Sequence, residues 1–238
     1  MSSSTTVMSS STSGFNGRAF FEKLWRASGI QCVGLIILAY VIYGSQPHVG
    51  ASTDALVAFY SGERTRILIA AVVSGLATLY IIWFAAAIRT TLADAGQDGW
   101  GAAATASSAA VGAMFFLFIA LQAALAHSIA DLGHSALASG LNDFAWAGVV
   151  LTSFPRAMLI MASTFGLWRA GLISNALFGL GVTALLLVLL GGATWQSDGL
   201  WAPDGVYSRL ISPLIGLVWL LVVSGVLLTR TPATRAAW

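Results

Sequence analysis

Arg156 is the only charged side chain deep inside an apolar run of this 238-residue chain, and Pro155 precedes it. A guanidinium carries five N–H donors in a planar fork and stays charged, so its chemistry is recognition of an anion, a carbonyl or a hydroxyl. Inserting one that far into lipid costs at least ~2.5 kcal/mol, so partners are required. Pro155 has no N–H to give the Leu151 carbonyl, which frees an acceptor one turn away, and Thr152 and Ser153 lie on the adjoining face. At helical spacing Asn142, Thr152, Arg156 and Ser163 share one stripe, a polar seam for the interior of a bundle. No Asp or Glu lies deep inside any apolar run, which removes carboxylate proton relays. The remaining partners are carbonyls, hydroxyls, Gln122, a tyrosine such as Tyr40 or Tyr80, water, or an anionic ligand. The candidate ligand-binding set is therefore Arg156, Thr152, Ser153, Ser163, Asn142 and Gln122. The plainer alternative makes Arg156 a hydrogen-bonded packing device.

A second constellation is His127, Asp131 and His134, spaced four and three residues apart at the end of an apolar run. On a continuous helix these would share a face, and imidazole with carboxylate suits zinc or a similar ion. His48, Asp198 or Asp204 could join from loops. Against a metal, Gly133 frays such a helix before His134, and a pH-sensitive cluster or ordinary surface residues read equally well. No other cofactor is implied. Several catalytic templates fail. Ser153 does not sit in the Gly-x-Ser-Gly setting of intramembrane serine proteases, the runs hold no aspartyl dyad, and His127 has no mate in another run for haem. Gly191-Gly192 ends a run instead of cradling a phosphate before a helix. No catalytic residue is assigned.

The elements that must position these residues are membrane helices. With 58% hydrophobic residues, 8% charged and a mean hydropathy of +0.84, the chain lies far from the roughly 25% charged usage of soluble domains. The expected fold is an all-α transmembrane bundle with six spans, at about 28–44, 66–89, 101–130, 141–168, 174–194 and 212–229. Residues 1–17 are a Ser/Thr-rich tail with little to bury, 18–230 form the membrane domain, and 231–238 a short cytoplasmic tail. Short amphipathic interfacial helices are expected before the first span and between the first two, the latter capped by Ser52 or Thr53. A Gly133–Gly140 loop precedes the fourth span, which Asn142 or Asp143 would start. In the third span Ala104, Ser108 and Gly112 at four-residue spacing let another helix approach closely, either within the chain or from a partner or second copy.

Orientation follows from the basic residues near span ends. Arg18, Lys23, Arg26, Arg89, Arg169, Arg230 and Arg235, seven in all, fall on one side, against Arg64, Arg66 and Arg209 on the other. Both termini are therefore expected in the cytoplasm, with the protein in the cell's inner (plasma) membrane. Scattered basic residues give nucleic acid no patch to bind. Cys32, the one cysteine, has no mate for an internal disulfide and reads as a small buried hydrophobe.

The segments WRASGI, YVIYGSQP, DALVAFYSG, NDFAWAGVV, FPRAMLIMA, FGLWRAGLISNALF and SDGLWAPDG together resemble an uncharacterised family of bacterial integral membrane proteins of actinobacterial type, a domain of unknown function. The resemblance runs from about Leu24 to Arg230. It implies a helical inner-membrane protein and supplies no activity or catalytic residue. Two functions stay open: binding or permeation of a small anionic, polar or lipid-like ligand around Arg156, or a structural or regulatory membrane subunit that meets a partner through its third span.

Overall fold

The computed structural model describes residues 17–129 and 135–229, and among them the chain is helical with no strand. The helices are α1 (Gly17–Arg26), α2 (Ser28–Tyr43), α3 (Thr53–Gly62), α4 (Arg64–Asp94), α5 (Asp98–Ala124), α6 (Ser135–Leu151), α7 (Ser153–Arg169), α8 (Asn175–Leu190) and α9 (Ser212–Thr229). A widened π-turn, Leu125–Ile129, continues α5, and a second, Tyr207–Ile211, leads into α9. Apart from Gly17, the tail expected over residues 1–17 lies outside the described residues, as does 231–238.

Five stretches are long and apolar enough to cross a membrane: Arg64–Asp94, Asp98–Ser128, Ala136–Arg169, Asn175–Ala193 and Tyr207–Thr229. A sixth is counted if Phe20–Arg26 and Ser28–Tyr43, which meet at 54°, form one broken span. This is the pattern of a multi-pass membrane protein. The 16 residues of α2 would rise only about 24 Å, short of a ~30 Å hydrocarbon core. The helix nevertheless belongs to the bundle, because it packs along α4 and against α9 and buries Cys32, Val33 and Ala39.

Short helices stand at both expected places, α1 before α2 and α3 between α2 and α4. Ser52 caps α3 by accepting from the Ala55 N–H at 3.4 Å, and Ser174 caps α8 through Leu177 at 3.3 Å. The fourth span differs from expectation at its start. Residues 135–140 are helical, so Asn142 and Asp143 lie a turn or more inside α6 and do not cap it. Tertiary packing overrides the glycine signal here, since Ala138 is buried in a cluster with Leu56 and Tyr60 of α3.

The ends of the bundle are named by the short helices lying there, the α1 end and the α3 end. The main core runs toward the α1 end and joins Phe84, Ile88 and Leu92 of α4, Ile160 and Leu167 of α7, and Trp219 and Leu227 of α9. Arg26 ties α1 into it by donating to the Leu227 carbonyl at 3.1 Å. The small-residue face of α5 docks inside the chain. Ser108 Oγ donates to the Ile81 carbonyl of α4 at 3.2 Å, and a Cβ added to Gly112 would meet Ile82 at 3.4 Å. Large apolar side chains such as Val72, Leu79, Leu180, Leu186 and Val218 point outward, as lipid contact requires.

Candidate functional site

Arg156 belongs to the first turn of α7, after a break at Thr152 that separates α7 from α6. Pro155 fits there because a first-turn N–H lacks a helical partner in any case. The side chain turns back over that break. Its Nε–H donates to the Thr152 carbonyl at 3.2 Å, and Nη2 donates to Ser153 Oγ at 3.0 Å and, more weakly, to Ser212 Oγ at 3.5 Å. The carbonyl used is thus that of Thr152, not Leu151. The Thr152 hydroxyl faces away, donating to Val149 O at 2.6 Å.

Ser212 brings α9 to the site, and Gly191, just past α8, brings the third wall. A Cβ on Gly191 would stand 2.7 Å from both Ser153 Oγ and Ser212 Oγ, so only glycine permits this approach. The same contacts revise the depth of the arginine. Counted along the fourth span it sits halfway, but Gly191 ends α8 and Ser212 begins α9. Its guanidinium therefore lies level with the α3 ends of two neighbouring spans, because α6 extends beyond them.

The charge is only partly answered. Among the described residues no carboxylate pairs with Arg156, and no hydrogen bond of Nη1 is found. The side chain lines a cavity of about 90 Å³ whose other walls include Ile36, Phe84, Phe115, Pro213 and Trp219. Ser163 reaches the same cavity, but its hydroxyl is engaged: it lies 2.9 Å from Leu159 O and accepts from Trp219 Nε1 at 3.2 Å. Neither Tyr40 nor Tyr80 is hydrogen-bonded to Arg156, and Tyr80 instead tilts against Trp83 at 5.9 Å between ring centroids.

Gln122 and Asn142 belong elsewhere. At the α3 end, Gln122 Oε1 accepts from the phenols of Tyr43 at 2.7 Å and Tyr60 at 2.9 Å. Asn142 Oδ1 lies 3.3 Å from Tyr60 Oη and 3.4 Å from Gln46 Nε2, while Asn142 Nδ2 donates to the His48 carbonyl at 3.1 Å. Trp146 Nε1 donates to Pro47 O at 2.9 Å, and the carboxylates of Asp143 and Asp204 each accept a backbone N–H of the same loop at 3.1 Å. The segment after α2 is thus strapped to α6. Burial pushes the Tyr60 phenol up to about 12, with its polar neighbours Tyr43, Gln122 and Gln46 pulling the other way. It is a neutral donor throughout the physiological range. Tyr43 and Tyr60 were not among the sequence candidates; the available signal was their place at the ends of two helices that the short 44–52 segment folds together.

His127 is exposed in the π-turn, and Asp131 and His134 lie outside the described residues. Among the described residues no three His, Cys, Asp or Glu side chains converge as metal ligands. Comparison with known proteins finds no matching family model, curated protein or solved structure.

Proposed function

We propose that this chain is a multi-pass protein of the cell's inner membrane that binds or passes a small anionic, polar or lipid-like ligand at the seam around Arg156. Six spans would place both termini on one side, and the basic excess at the α1 end makes that side the cytoplasm. The supporting observation is that Arg156 lines an apolar cavity while its Nη1 has no hydrogen bond and its charge no counter-charge among the described residues. A guanidinium in apolar surroundings binds an anionic head group through its fork, and the apolar walls suit an attached chain. No enzymatic step is assigned.

The Gly191 approach supports a second reading, in which Arg156 clamps α7, α8 and α9 in a structural or regulatory subunit and the faces of α5 left free by α4 meet a partner or a second copy. One experiment separates the two. Purified protein in a maltoside detergent is melted with and without dodecyl phosphate, followed by tryptophan fluorescence. Ligand binding predicts a rise of about 4 °C that disappears in Arg156→Gln and survives in part in Arg156→Lys, which keeps the charge without the fork. An unchanged melting point in the wild-type protein, or an equal rise in Arg156→Gln, would leave only the clamp.

A further inference from the structure

A second cavity lies at the α3 end, about 260 Å³ in volume, between α2, α4, α5 and α6. Its walls are apolar over most of their extent, among them Ile36, Ala39, Ile67, Phe115 and Phe118, and no charged side chain lines it. Arg66, near this end, stands against Gly44 and lies 3.3 Å from Glu63, outside the lining. Both α2 and α5 pack on α4 but not extensively on one another, so the cavity opens sideways beside the half-exposed Tyr40. With α4 and α5 read as spans, that opening faces lipid.

The polar end of this cavity has a defined hydrogen-bond deficit. Two phenol protons, of Tyr43 and Tyr60, converge on one Gln122 oxygen. In the structure the amide thus turns its oxygen to the phenols. The Gln122 Nε2 group is left with two N–H donors for which no partner is found among the described residues, on a residue that lines the cavity. In a lining without charge, the complement is a group that accepts two hydrogen bonds and carries no charge.

We infer that this cavity is a binding site, separate from Arg156, for a neutral lipid-soluble molecule whose polar end is a carbonyl held by Gln122 Nε2. A carbonyl oxygen offers two lone pairs, and an uncharged head leaves no ion buried in a lining that holds none. The carbonyl belongs either to a glyceride ester or to a quinone. Both reach the site from the bilayer through the gap between α2 and α5.

The test uses the whole protein in a maltoside detergent, with melting followed by tryptophan fluorescence. Probes are monooleoylglycerol, decylubiquinone and, at about pH 9 where it is ionised, oleate. At least one of the two neutral carbonyl compounds raises the melting temperature by roughly 5 °C, and which one does identifies the source. Oleate leaves it within about 1 °C. Gln122→Leu removes the rise; because that change also unpairs the Tyr43 phenol and leaves Tyr60 with Asn142 alone, Ser74→Phe serves as a second variant, filling the cavity from α4 and leaving the polar network intact. Arg156→Gln keeps the full rise. The inference is overturned if neither neutral probe acts, if oleate acts as strongly, or if the rise persists in both Gln122→Leu and Ser74→Phe. Loss of the rise in Arg156→Gln alone would assign the binding to the other cavity.

Discussion

The two polar regions of this bundle sit toward the same end and solve opposite problems. At Arg156 a permanent charge is held by one carbonyl and two serine hydroxyls, one of them at 3.5 Å, and the side chain lines a small cavity. At Gln122 and Asn142 every group is neutral, and two phenols, two amides and a backbone carbonyl satisfy one another across α2, α3, α5 and α6. A neutral network can close on itself, whereas a lone cation cannot. The first region therefore leaves a charge with incomplete partners, and the second ties four helices together while leaving one amide nitrogen over.

The sharpest test of that contrast compares two substitutions. Asn142→Leu strands the Gln46 amide and the His48 carbonyl and leaves the Tyr60 phenol with Gln122 alone, and should cost about 3 kcal/mol. Arg156→Met removes an unpaired charge along with its bonds and should change stability by no more than about 1 kcal/mol in ligand-free detergent. Denaturant unfolding of both variants reads the difference; a larger loss for Arg156→Met would make the arginine the keystone and reverse the contrast.

Gly191→Ala comes next, at about 2 kcal/mol, since its methyl must displace the two serine oxygens that hold Nη2. The same variant should blunt the dodecyl phosphate effect without touching the response to neutral carbonyl probes. Should both responses fall together, the two cavities are one coupled unit.

Smaller effects belong to the phenols. Tyr43→Phe should cost about 1 kcal/mol, and Tyr60→Phe rather more because that hydroxyl lies between two acceptors. The Tyr60 phenol also makes a pH prediction. Its proton is held more tightly in the folded protein than in the unfolded chain, so stability is level below about pH 10 and falls between there and about pH 12, by up to about 1.4 kcal/mol per unit. Unfolding measured in parallel on Tyr60→Phe should lack that component; identical alkaline profiles would mean the phenol is not held in the network.

That the chain is a bundle of membrane-long apolar helices was legible because composition and run length suffice: in lipid a backbone must close its hydrogen bonds locally, so an apolar run is a helix. The start of the fourth span was not, since Gly133 and Gly140 mark a loop by local rules and the contact of Ala138 with α3 overrules them. The small-residue face of α5 was readable as a place of close approach, but its occupant, α4, was not.

For the site, residue types alone singled out Arg156, Ser153, Gln122 and Asn142, because each is costly in an apolar setting. How they divide was invisible along the chain. Periodicity places residues on a face of one helix and says nothing about which helices stop at the same level, so the stripe from Asn142 to Ser163 read as one seam. Tertiary structure splits it: α6 reaches past the ends of α8 and α9, carrying Asn142 to the tyrosines of α2 and α3 and leaving Arg156 beside Ser212 and Gly191. Sequence set the need for a partner at each polar residue, and only the relative lengths and offsets of packed helices decided which partner it found.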